Sequence, residues 1–201
     1  MDELKKIINI NTLENLVKDK SSLDLFLIIF PELKNIKIFS KLNKTIEELL
    51  KKKDFIFMLS LMIVDDSDNA DYFLFKYNIS KKDQKRIKII DNFFKEKINL
   101  KTFTENNTNK IYYYYGKEVT FDILFYKMIK SKKIDNSLKE LINYYENIKP
   151  PVMPVNADLL IKKYQIPEGK QLGEKLKMIE KEWVKNNFKI SDQQINSIVY
   201  S

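Results

Sequence analysis

Cysteine and histidine are both absent from this 201-residue chain, and glycine occurs only three times. Without cysteine there is no disulfide framework, no zinc–thiolate site and no thiol nucleophile. Without histidine there is no serine–histidine–aspartate triad, no metal-binding H-E-x-x-H helix and no histidine-based phosphohydrolase centre. Any chemistry must come from carboxylates, lysine or hydroxyls. The nearest glycine pair, Gly169 and Gly173, has neither the spacing nor the Gly-Lys ending of a phosphate loop, and three glycines cannot supply a dinucleotide fingerprint. Long apolar runs are missing too. The longest, residues 55–64, contains Ser60 and is half the ~20 positions a membrane span requires, so a buried helix and no membrane partner are expected. The opening Met1-Asp2-Glu3-Leu4-Lys5-Lys6 leads into no apolar stretch or cleavage pattern, which places the expected location in the cytoplasm.

What is present is enough to fold: 44% hydrophobic residues against 32% charged ones. Thirty-six basic residues face 28 acidic ones, a net charge of +8 that favours an anionic partner such as nucleic acid. Lysine supplies every basic residue except Arg86, a bias that an A/T-rich genome also produces.

Apolar residues recur at spacings of three and four and no alternating pattern is sustained, so the expected fold is all-α. The segments read as helical are 12–18, 21–29 (capped by Ser21 and closed by Pro31), 42–52, 55–64, 70–77 and 81–97, the last capped by Ser80. Residues 99–109, with their TENNTN core, read as an inter-helix loop. Further helices are expected at 111–115, 119–130 and 137–148. Lys149-Pro150-Pro151-Val152-Met153-Pro154 then interrupts helix, because proline lacks an amide donor and restricts its predecessor. The expected organisation is a helical segment over 1–40, a multi-helix body over 41–148, a proline-rich linker over 149–154 and a three-helix tail over 155–201. The tail helices are expected at 156–163, 170–185 and 191–199.

Four features bear on chemistry. Asp66-Ser67-Asp68 could hold a divalent metal, but the pair sits in an inter-helix turn without glycine, and a calcium loop would need glycine where Asp71 stands. A capping turn is expected there, with no metal. Lys81, Lys82, Lys85, Arg86 and Lys88 crowd one helix and either contact RNA phosphates or form a solvated face. With Ile87, Ile90 and Phe94 as the buried stripe, all five should face away from it. Tyr112 to Tyr115 could stack bases, but helical residues point ~100° apart, so at least two are expected in the core. In the tail, Asn156 should cap a helix, Gly169 allow a tight turn, and Gly173 let a helix start against a neighbouring backbone. Leu172, Leu176, Ile179 and Trp183 form an apolar stripe, with Lys170, Lys177 and Lys181 within ~20° of one line on the opposite side. Lys170 at a helix start, after Lys162 and Lys163, suits a phosphate, and a compact three-helix unit with a charged face explains the same pattern.

The tail residues Pro154, Asp158, Leu159, Pro167, Gly169, Gly173, Trp183 and Phe188 resemble the C-terminal tail of bacterial CCA-adding tRNA nucleotidyltransferases and their poly(A) polymerase relatives. That tail pattern is an apolar-Pro-x-x-x-Asp-Leu segment, a Pro-x-Gly-x-x-x-Gly turn and a late Trp and Phe. Glu3 to Ile7 is similar to the end of the family's neck, Phe30-Pro31-Glu32-Leu33 to a recurrent turn, and Tyr115-Gly116-Lys117 to a helix junction in the body. The resemblance implies a part that grips the acceptor stem and elbow of tRNA, with Lys162, Lys163, Lys170, Lys177 and Arg86 as candidate phosphate contacts. It implies no catalytic residue and no cofactor in these residues. Magnesium with CTP or ATP would belong to a catalytic head expected upstream or supplied by another chain. A stand-alone RNA-binding module and a protein-interaction scaffold are the alternatives.

Overall fold

Many helix starts in this chain are written in Asp, Asn and Ser, whose side chains accept from the otherwise unpaired first amides. A computed structural model describes residues 2–95, 103–131 and 136–201. These are helical throughout with no strand, so the fold is all-α. Helices α1 (Asp2–Ile7) and α2 (Ile10–Lys18) come first, and Asn9 caps α2 by accepting from the Thr12 amide at 3.0 Å. Asp19, not the expected Ser21, caps α3 (Lys20–Ile29): its carboxylate takes the Ser21 amide at 3.2 Å. A carboxylate at the helix start adds a charge that complements the helix dipole.

Pro31–Lys41 is a 3-10 segment, an element that α-helical spacing does not predict. Its buried residues Leu33, Ile36 and Phe39 recur every third position, which is the period at which side chains eclipse in a 3-10 helix. Then follow α4 (Lys44–Leu50, capped by Asn43), α5 (Phe55–Ile63, capped by Asp54), α6 (Asn69–Lys76) and α7 (Lys81–Lys95). Every residue of α5 from Ile56 to Ile63 is buried, as a helix apolar on all sides requires. It is enclosed by the 3-10 segment, α6 and α7. Each fully buried large side chain there, such as Phe57, contributes roughly 1.5–3 kcal/mol. Ser60 satisfies its hydroxyl within the helix by donating to the Ile56 carbonyl at 2.8 Å. Ser80 starts α7 as expected, accepting from the Asp83 amide at 3.2 Å, whereas the expected helix end at residue 97 lies outside the described residues.

One difference is larger. Helix α8 (Glu105–Ser131) begins inside the stretch read as a loop: Thr104 accepts from the Asn107 amide, and Glu105 to Asn109 are helical. Polar residues suited to a turn are carried here by the helix that Ile111 and Tyr112 anchor in the core. Within α8 the backbone leaves helical geometry at Gly116, with φ of 77° and ψ of 178°. That is the junction expected between two helices at this residue, and its positive φ suits glycine. After α9 (Asn136–Asn147) come α10 (Ala157–Tyr164), α11 (Lys170–Lys185) and α12 (Asp192–Val199), within a residue of the expected bounds.

The chain divides into two compact units, one from residues 1–102 with 118–144, the other from 103–117 with 145–201. The division falls neither at residue 40 nor at the expected linker 149–154, which lies inside the second unit. The physical reason is aromatic. Tyr113 of α8 packs edge-on against Trp183 (ring centroids 5.2 Å apart) and Phe188 (5.7 Å), so α8's first half belongs with the tail. Proline stops the helix at 149–154 without ending the core.

Candidate nucleic-acid interface

The tail unit is held by Val155, Leu160, Ile166, Leu172, Ile179, Ile195 and Val199, with Leu176 packed partly buried against them. Asn156 caps α10 as expected, accepting from the Leu159 amide at 2.9 Å, and Ser191 and Gln194 close a reciprocal capping box on α12. With the apolar face of α11 spent on this core, its lysines are turned outward except half-buried Lys175, which donates to the Ile198 carbonyl at 2.7 Å. Lys170, Lys177 and Lys181 are all exposed, as are Lys162 and Lys163 in the last turn of α10. Lys163 lies 3.5 Å from Asp192 and Lys170 3.7 Å from Glu174, pairs so exposed that each is worth ~0–1 kcal/mol and yields easily to a phosphate. Lys162 and Lys177 have no carboxylate partner among the described residues. Gly169 starts α11 with no side-chain cap, leaving its first amides without a competing acceptor.

The tail's marker residues do different work. Pro154 is exposed in a bend just before the α10 cap, and Asp158 is exposed in that helix's first turn, where a carboxylate suits the dipole. Gly169 has φ of 141°, a region that strains any residue with a Cβ. Gly173 departs from the expectation: nothing lies within 4 Å of where its Cβ would be, so no neighbouring backbone presses on it. Gly169→Ala should therefore cost about 1–3 kcal/mol, while Gly173→Ala should be stabilising by up to ~1 kcal/mol from helix propensity. Urea denaturation of the two variants measures both, and a reversed order would contradict this backbone geometry.

Arg86 is a correction. It does not face solvent with its lysine neighbours but is buried, with Nε 2.6 Å from Asp122 and Nη1 2.5 Å from Asp54 and 2.9 Å from Glu118. Burial opposes its charge, but hydrogen bonds to Asp122 and Asp54 outweigh that and push its pKa up. Lys53 joins at 3.6 Å from Asp122, with its ammonium over the Phe125 ring at 4.0 Å. Burial raises the Asp122 carboxyl despite Arg86, and burial lowers Lys53. A guanidinium so engaged by three carboxylates is held away from any phosphate, and Arg86 is excluded from the RNA-binding set. Lys81, Lys82, Lys85 and Lys88 are all exposed on the same helix.

The tyrosine run splits. Tyr112 is buried and donates to the Ile148 carbonyl at 2.9 Å. Tyr113 is half-buried and donates to Glu180 at 2.7 Å, its pKa pushed up to about 12 by burial and that carboxylate. Tyr114 and Tyr115 are exposed. In the Asp65–Asn69 turn, Asp68 begins α6 without a side-chain cap. Asp65 instead takes the Ser67 amide and pairs with Lys34 at 2.6 Å. Among the described residues no group of three or more carboxylates could hold a metal, and no helix is long and apolar enough to cross a membrane.

No family model, curated protein or solved structure matches this chain.

Proposed function

We propose that this chain is the tRNA-holding part of a CCA-adding tRNA nucleotidyltransferase, working in the cytoplasm, with Lys162, Lys163, Lys170 and Lys177 on the phosphates. The observation that carries it is the tail: exposed lysines from the end of α10 and one line of α11, beside a helix start with no side-chain cap. A-form RNA offers phosphates and 2′-hydroxyls while its deep groove excludes side chains, so such a surface reads shape and charge more than sequence. No residue of this chain is given a catalytic role. Magnesium with CTP or ATP belongs in this reading to a separate catalytic head.

The test is tRNA binding across ~50–200 mM salt, comparing the chain with its Lys162→Glu, Lys163→Glu, Lys170→Glu and Lys177→Glu quadruple variant. Affinity should fall at least ~tenfold, and the salt slope should flatten by about one unit for each lysine–phosphate pair removed. Unchanged affinity and slope would remove the assignment. Binding retained by a chain to which no head can be assigned would favour a stand-alone RNA-binding module. A second reading, a protein-interaction scaffold, draws on the exposed Leu25, Ile28 and Ile29 of α3 and Tyr72 and Phe75 of α6. Indifference to tRNA would leave that reading standing.

A further inference from the structure

The first unit contains a cleft of about 430 Å³, within the roughly 300–1,000 Å³ range of small-molecule sites. Its cations are Lys34 and Lys37 of the 3-10 segment and Lys130 of α8. At three residues per turn, Lys34 and Lys37 fall one above the other on the same side. Among the described residues no carboxylate lines the cleft itself. Asp65 neutralises Lys34 from outside it at 2.6 Å, whereas Lys37 has no carboxylate partner among the described residues. Lys130 rests over the Tyr126 ring, 5.4 Å from its centroid, and burial lowers its pKa. Asn43 spends its side-chain oxygen on the Ile46 amide, so its amide donors remain for a ligand. The apolar part of the lining is half-buried Ile38 and Leu42 with buried Ile46 and Ile129.

We propose that this cleft binds a small organic anion with an apolar or aromatic body and a single phosphate, sulfonate or carboxylate head. An inorganic anion would leave the apolar wall facing water, and a neutral apolar molecule would desolvate three lysines without pairing them. A ligand with both parts satisfies both kinds of lining, the head on Lys37 and Lys130 and the body on Leu42, Ile46 and Ile129. The site is built from the first unit alone and stands independently of RNA binding by the tail.

The experiment is fluorescence titration of the full chain with 8-anilinonaphthalene-1-sulfonate, and with its uncharged parent N-phenyl-1-naphthylamine, at low salt. The sulfonate should bind at least ~tenfold more tightly than the parent, as a charge-assisted hydrogen bond implies. Lys37→Glu with Lys130→Glu should weaken it at least ~tenfold while moving the parent less than ~twofold. The neutral pair Lys37→Gln with Lys130→Gln gives a milder loss of about fivefold where charge reversal disturbs folding. Ile28→Ser with Phe75→Ser, which removes exposed apolar residues outside the cleft, should leave affinity unchanged. Equal binding of the two dyes, indifference to both lysine pairs, or loss through Ile28→Ser with Phe75→Ser would each overturn the proposal.

Discussion

Arg86→Met is expected to destabilise the protein by about 3–5 kcal/mol, because it leaves buried carboxylate charge without its partner. Asp122 is the reason: its side chain is 1% exposed, and without Arg86 only Lys53, at 3.6 Å, remains among the described residues to balance it. Arg86→Lys should recover only part of the loss, since an ammonium cannot reach Asp54, Glu118 and Asp122 at once in the fork geometry of a guanidinium. Asp122→Asn alone is destabilising, but combined with Arg86→Met it should cost less than the two single losses together, because the stranded charge is gone. The loss depends on pH in a defined direction. Burial already raises the Asp122 carboxyl, and removing Arg86 raises it further. A carboxylate with a raised folded pKa favours folding most when protonated, and that contribution is lost as pH rises. The deficit of Arg86→Met should therefore be largest near neutrality and shrink as the carboxylates protonate on acidification. Urea denaturation at neutral and acidic pH checks this. A loss below ~1 kcal/mol at neutral pH would mean that the ion network is not what holds α5, α7 and α8 together.

Trp183→Ala should be as damaging to the second unit, costing about 3–5 kcal/mol. Trp183 is 2% exposed and meets Tyr113 and Phe188 edge-on, with centroids 5.2 and 4.9 Å away. Trp183→Phe keeps one ring and should cost markedly less. Tyr113 provides a second readout. Its folded pKa of about 12, raised first by burial, should fall back toward 10 once Trp183 no longer covers it, which tyrosinate absorbance against pH measures. In the intact protein the same raised pKa contributes stability that is complete below about pH 10 and lost as pH climbs toward 12. A Trp183→Ala variant with unchanged stability and unchanged tyrosine titration would contradict the aromatic core.

Much of this is legible in the sequence for a local reason. The tail helices fall within a residue of their expected bounds because Asn156, Gly169 and Ser191 mark their starts, and the apolar spacing fixes the buried face of α11. The outward placement of Lys162, Lys163, Lys170 and Lys177 follows from the same periodicity. Asp19 is hard to recognise as a cap because Ser21 competes with it two residues away, and both are good acceptors. The 3-10 segment escapes a reading by periodicity because a period of three over Leu33, Ile36 and Phe39 is too short to stand out against helical spacing.

Composition and spacing by themselves determined an all-helical chain, the absence of thiol and imidazole chemistry, and which face of α11 turns to the core. Tertiary structure decided what local pattern cannot encode. Arg86 is buried where its lysine neighbours are exposed because Asp54, Glu118 and Asp122 gather around it from residues 32 to 36 positions away. Tyr113 joins the tail because Trp183 and Phe188 meet it across some seventy residues, and Lys34, Lys37 and Lys130 share a cleft only once α8 folds against the 3-10 segment. Periodicity reports how a segment relates to its own axis; burial of charge and the making of a cleft depend on which distant segments arrive beside it.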